Sequence, residues 1–382
     1  MRRIGSRPWL AGAGIVVVVL AVGGLLALGG GLGGAAATPS PSAVALASAT
    51  PSASTVTSLA PTAEPTATPS PTPTGGPFAA LDGMPTTAAL AAREPLAVMI
   101  DDNAVARPQS GFSGASIVYQ APADGGEDRY MFVYQEGDAA DLGPARSGRP
   151  YFVRWAAEYR AIFTHVGGDA KTLGQVVPSL TAARLIYNLD ALSMPGFHRI
   201  SSRVAPHNDY SSTARLREVA ARYALPSVQP GGLATRPFSP DLPADQRPKS
   251  GSITVPYNTG LIGYTYDPAS NAYLRSVAGT AQYDGYDHKR VTARNVVVLF
   301  MVLSVDPESE PGYHRPVLAQ IGTGKAIVFH DGKVWQGTWA KASDGDLTRF
   351  YDASGKEVPL VRGRIFVQVV PTGTNVTWKA AP

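Results

Sequence analysis

The sequence predicts an α/β domain followed by a β-rich, sandwich- or barrel-like domain, both placed behind a membrane-spanning segment and a disordered stalk. Three observations lead there: an uncharged apolar stretch near the start, a long Pro/Thr/Ser/Ala-rich segment, and a change of hydrophobic periodicity midway along the remainder.

The first element, residues 1–37, carries Arg2, Arg3 and Arg7, then twenty uncharged residues from Trp9 to Leu28. About 20 apolar residues of helix cross about 30 Å of hydrocarbon. The flanking arginines favour the cytoplasmic side, so the rest is expected outside a cell membrane that the chain crosses once, through residues 9–28. The small residues Ala35, Ala36 and Ala37 leave a cleaved signal peptide open, but the apolar stretch exceeds the usual h-region. Residues 38–77 have one charge, Glu64, among Pro, Thr, Ser and Ala, and read as an extended stalk unable to bury a core.

The sequence contains no cysteine, which excludes disulfides, thiolate chemistry and a lipid anchor on an N-terminal cysteine. Of the net charge of +4, the residues up to Gly76 contribute +2 (Arg2, Arg3 and Arg7 against Glu64), leaving +2 for the folded part. A nucleic-acid-binding surface carries a stronger basic footprint, so nucleic acid is not expected as a partner.

Residues 78–230 alternate between strand and helix patterns. Leu96–Ile100, Ala115–Ala121 and Tyr130–Tyr134 are apolar runs of buried-strand length. Pro150 suits a first helical position, and Phe152, Trp155, Ala156 and Tyr159 follow on one helical face. Ala161–Val166 reads as a strand closed by Gly167 and Gly168, after which Asp169 caps a helix bearing Leu173, Val176, Val177 and Leu180. Leu216, Val219, Ala220 and Tyr223 mark a further helix that stops before Pro226. Residues 231–250, rich in Pro and Gly, read as a linker, and 251–382 as short strands with turns such as Asp331-Gly332.

Ligands of open α/β sheets gather beyond the carboxyl ends of parallel strands. The ligand-binding candidates there are Arg146, Ser147, Arg149, Arg203 and Asn208, with Gly167 and Gly168 permitting close backbone approach. Arginine offers planar, bidentate hydrogen bonding to anions, and a helix starting at Pro150 adds unpaired N–H groups. The competing reading has Arg146 and Arg149 in internal ion pairs with carboxylates such as Asp101 or Glu127. The catalytic candidates are His165 and His207 as bases, with Asp101 or Glu127 as partner. No G-x-S-x-G or H-E-x-x-H motif occurs, and the six histidines lack zinc spacing; no metal or cofactor is expected.

Several segments together resemble a bacterial family of envelope proteins, the YerB-like family: Pro95–Asp101, Ala106–Gly111, Ala115–Tyr119, Gly143–Pro150, His165–Gly168, Ala205–Asn208, Tyr273–Arg275, Asn295–Val298, Gly322–Gly324 and Gly337–Trp339. The resemblance covers about residues 80 to 375 and implies an N-terminal and a separate C-terminal domain, both of unknown function, so no catalytic role carries over. Members are often lipoproteins; lacking cysteine, this chain is expected to use its apolar helix instead. The leading expectation is a non-enzymatic envelope domain that binds an anionic cell-wall glycan or an envelope protein, with Arg146, Arg149 and Arg203 facing one cleft. An envelope hydrolase or transferase using His165 or His207, and a scaffolding protein, are the alternatives.

Overall fold

The computed structural model describes residues 76–229 and 231–380. The apolar segment 9–28 and nearly all of the stalk lie outside them. Among the described residues no helix is long and apolar enough to cross a membrane.

The first half supplies strands β1 (Leu96–Asp101), β2 (Ile117–Pro122), β3 (Asp128–Tyr134), β4 (Ile162–His165) and β5 (Tyr187–Asp190). Its helices are α1 (Ala88–Ala91), α2 (Pro150–Ala157), α3 (Val177–Ala182) and α4 (Thr213–Arg222). The second half supplies β6 (Gly251–Tyr257), β7 (Gly260–Asp267), β8 (Ala272–Val277), β9 (Thr280–Ala281), β10 (Thr292–Ala293) and β11 (Asn295–Met301). It continues with β12 (Gly322–His330), β13 (Lys333–Lys341), β14 (Arg349–Asp352), β15 (Ile365–Pro371) and β16 (Thr377–Ala380).

Ten of these strands form one mixed sheet in the order β14-β13-β12-β11-β15-β2-β3-β1-β4-β5. The halves therefore meet inside a sheet: β2 runs parallel to β15, with Ile117 opposite Ile365. The first half is α/β and the second β-rich, as expected; the shared sheet corrects the expectation that they stand apart, and that of a closed barrel or free-standing sandwich at the C-terminal end. Strands β9-β8-β7-β6-β16, with β10 on β8, make a second, smaller sheet. The segment 231–250 is not a free linker either. Phe238–Ser239 pairs with Leu360–Val361, and Arg236 is buried against Glu158.

Successive residues of a strand point to opposite faces, and the core divides accordingly. Ala97 and Met99 of β1 join one apolar cluster with Phe152, Trp155 and Leu180 of α2 and α3. Leu96, Val98 and Ile100 join the other, with Leu216 and Val219 of α4 and Ile253 and Tyr264 of the smaller sheet. Tyr119 stacks on Trp155 at 5.1 Å, fixing α2 against β2. Helix α4 begins where the Ser212 hydroxyl accepts the Arg215 N–H at 3.1 Å.

Burial also perturbs one carboxyl group between the halves. Asp128 lies 1 % exposed, and its Oδ2 accepts the Thr259 N–H at 3.1 Å and the Thr259 hydroxyl at 2.5 Å, while Oδ1 has no partner. Burial, then the nearby Asp102 charge, push its pKa up to about 7. A free aspartate titrates near ~3.9, so between about pH 4 and 7 the folded state holds a proton that the unfolded state has released. That contribution is fully present below the unfolded value and is lost as pH rises through 7. Asp128→Asn keeps an acceptor for Thr259 and removes the ionisation. Its melting temperature relative to wild type is therefore expected to rise from pH 4 to pH 8 in paired thermal melts. An equal difference at both pH values would count against a protonated Asp128.

Candidate functional site

The site forms because β1 outruns β4. Strand β4 pairs with β1 only from Leu96 to Val98. Beyond that point the 143–146 segment takes its place: Asp101 N–H donates to Pro144 O at 2.9 Å, and Arg146 N–H to Met99 O at 3.0 Å. Ala145 N–H donates in turn to Asp209 O at 2.7 Å, which brings the 203–209 loop alongside. The Gly143–Pro144 and Ala205–Pro206 peptide bonds are cis. Two distant loops thus converge on the carboxyl end of β1, where the strand-end rule placed the site.

At the centre His207 Nδ1 lies 2.6 Å from Asp101 Oδ2, and Arg146 Nε lies 3.2 Å from the same oxygen. Asp101 is fully buried, whereas His207 and Arg146 keep 18 % and 16 % of their side chains exposed. Arg146 Nη2 is 3.7 Å from Glu127 Oε2, and Asn103 Nδ2 donates to Glu127 Oε1 at 2.7 Å. Among the described residues no protein group hydrogen-bonds His207 Nε2. Of the catalytic candidates, His207, Asp101 and Glu127 come together.

His165 does not join them. It is fully buried, with Nδ1 2.7 Å from Gly167 O and Nε2 2.8 Å from Asn188 Oδ1. Both ring nitrogens are occupied in holding the β4–β5 ends, so its role is architectural. Gly167 serves the same turn: at φ +63° it has a backbone that side chains rarely adopt, and its N–H donates to Asp190 Oδ1 at 2.9 Å. Gly168 bridges to Gly148 beside it.

The arginines separate too, which corrects the expectation of a three-arginine cleft. Arg149 donates from Nε to Asp124 Oδ1 at 2.9 Å, from Nη2 to Oδ2 at 2.5 Å, and from Nη1 to Gly148 O at 2.6 Å. Burial acts to raise the Asp124 carboxyl, but these bonds and the charge of Arg149 hold it below its ordinary value. With its whole guanidinium engaged, Arg149 is a structural ion pair. Arg203 donates to Ala106 O and, at 2.7 Å, to Pro108 O, and so ties its loop down. Asn208 does likewise, donating to Ile200 O at 3.1 Å and Arg203 O at 3.2 Å. Ser147 is half-buried and accepts at its carbonyl from Arg129 Nη1 at 3.1 Å.

Asn103 and Arg129 border this cluster without residue types that mark them for it. Their signal was position alone: one follows β1, and the other lies beside Glu127. Residue Asp102 faces away into a buried network, where Oδ1 accepts Arg107 Nη2 at 2.9 Å and Oδ2 accepts Gln120 Nε2 at 2.6 Å. Among the described residues no group of three or more histidines and carboxylates is placed to hold a metal ion.

Comparison with known proteins adds the family context. Residues 81–225 match the domain described as "Protein of unknown function (DUF3048) N-terminal domain", and residues 253–367 match the corresponding C-terminal domain. The chain is 30 % identical over 297 residues, 77 % of its length, to "Putative lipoprotein YerB" of Bacillus subtilis (strain 168), covering 86 % of that protein. The crystal structure of YerB protein from Bacillus subtilis superposes with a TM-score of 0.68 at 24 % identity, over 79 % of this chain and 99 % of that one. This structural likeness concerns the fold.

Proposed function

Because this chain belongs to the YerB-like family of DUF3048 proteins, we propose that it is a membrane-anchored, extracytoplasmic envelope protein whose His207 site performs general acid–base chemistry on an envelope polymer, as a hydrolase or transferase. The location is supported by the arginine-flanked apolar residues 9–28 and by the lipoprotein name of the relative. The chemistry rests on one observation, the 2.6 Å contact between His207 Nδ1 and buried Asp101.

A carboxylate on Nδ1 selects the tautomer that leaves Nε2 as the basic nitrogen, and it stabilises the imidazolium once a proton arrives. Arg146 sets a second positive group against the same Asp101 oxygen. In this mechanism His207 Nε2 takes a proton from an attacking water or hydroxyl and returns it to the leaving oxygen. The neutralisation of Arg149 by Asp124 removes one reason for expecting simple anion capture at the helix start.

A positioned base contributes about 10²–10⁴-fold in rate. Full-length protein in detergent is incubated with purified cell-wall material, and the products are followed by mass spectrometry. The wild type is expected to convert the polymer, with His207→Ala and Asp101→Asn slower by about that factor. Polymer retention without conversion, unchanged in His207→Ala, would replace catalysis with binding; binding of an envelope protein alone would point to scaffolding.

A further inference from the structure

We propose that Arg129 anchors an oxyanion of the polymer, a phosphate or carboxylate group, beside His207. This deepens the acid–base reading and rests on it for the identity of the ligand as a polymer.

Arg129 springs from the same sheet face as Asp101 of the dyad. It is the cross-strand partner of Asp101 in the β1–β3 pair, so the two side chains share one face of the sheet, with Cα atoms about 4.5–5.5 Å apart. Its Nη1 donates to Ser147 O at 3.1 Å, which directs the guanidinium toward the 146–149 segment. The residue is 4 % exposed, and its Nε has no hydrogen-bond partner.

The surrounding charges set Arg129 apart. Arg146 faces Asp101 and Glu127, Arg149 faces Asp124 and Asp169, and Arg107 faces Asp102. Among the described residues Arg129 makes no ion pair within 4.0 Å, the reach that defines the others. Burial, then repulsion from Arg149 and Arg146, pull its pKa down to about 10, with Asp124 and Tyr151 opposing. It therefore remains a cation at neutral pH. A buried cation without an ion-pair partner is costly, and such groups concentrate where a ligand supplies the missing contact. Guanidinium matches the planar, two-oxygen edge of phosphate or carboxylate. Ser147 and Arg146, both partly exposed, flank Arg129; Glu127, 31 % exposed and 3.7 Å from Arg146, is the carboxylate an arriving oxyanion competes with.

The test uses full-length protein in detergent and inorganic phosphate as the probe. Titration calorimetry is expected to show salt-sensitive binding that weakens at least about tenfold in Arg129→Gln, returns partly in Arg129→Lys, and is unchanged in Lys333→Gln on the exposed face of β13. Because a buried arginine variant can fail to fold, the His207 imidazole NMR signal of the wild type is followed in parallel and is expected to move as phosphate is added. Unchanged binding in folded Arg129→Gln, or an unmoved imidazole signal, overturns the proposal. Parallel titrations with poly(glycerol phosphate) and a polyuronate decide between phosphate and carboxylate as the source. Phosphate binding without polymer conversion leaves the anchor standing and sinks the acid–base reading; conversion without phosphate binding does the reverse.

Discussion

Arg275→Ala is expected to lower the free energy of unfolding by about 3–5 kcal/mol, because each buried acceptor left without its donor costs about 1–3 kcal/mol. Arg275 is fully buried on β8 and reaches across to the first half of the chain. Nη2 donates to Gln120 Oε1 at 2.6 Å, Nε to the Tyr264 hydroxyl at 3.2 Å, and Nη1 to Gln282. Its guanidinium also lies 5.4 Å from the ring centres of Tyr130 and Phe366. Gln120 passes the connection to buried Asp102, whose carboxyl is pushed up by burial and drawn back by Arg107 and Arg275. Alanine leaves three acceptors without their donor and Asp102 with less counter-charge. Lysine is expected to rescue little, since one ammonium cannot reproduce a planar fork. Urea unfolding followed by tryptophan fluorescence measures the loss; a change below about 1 kcal/mol would show that the stranded acceptors find other partners.

The second large effect concerns Glu158, just beyond α2. Its Oε1 accepts the Thr348 hydroxyl at 2.6 Å and lies 3.3 Å from Lys341 Nζ, while Oε2 accepts Arg236 Nη2 at 3.1 Å and Thr348 N–H at 3.0 Å. The side chains of Glu158 and Lys341 are both fully buried. Glu158→Ala strands two buried cations and is expected to cost about 3–5 kcal/mol. The triple variant Glu158→Leu, Arg236→Met, Lys341→Met removes all three charges together and is expected to recover most of that loss, because the desolvation penalty goes with them. If the triple variant were no more stable than Glu158→Ala, the loss would lie in packing and not in unpaired charge. Chemical denaturation of the three proteins in parallel gives the comparison.

Local pattern carried the elements. Leu96–Ile100 as a buried strand, Phe152, Trp155 and Ala156 on one helical face, and Leu216, Val219 and Ala220 on another follow from a short apolar run and from helical spacing over a few residues. Asp331 and Gly332, at φ +50° and +70°, make the β12–β13 hairpin turn that their residue types require. The strand-end rule also pointed to residues that come together, since Asp101, Arg146 and His207 meet at the end of β1.

What tertiary structure decided was pairing over distance. The joining of β2 to β15 depends on which apolar strands, far apart in the chain, become neighbours, and local periodicity is blind to that. Lys341 has the residue type of a solvated strand lysine, yet the fold seals it against Glu158. The same reason separates the arginines. Arg129, Arg146 and Arg149 carry identical side chains, and only the positions of Asp124, Asp101 and Glu127 in space determine which guanidinium forms an ion pair and which stays outside one. Composition and spacing therefore determined the elements and the neighbourhood of the site. The assignment of roles within it came from three-dimensional contact, because charge compensation is set by distance in space and not by separation along the chain.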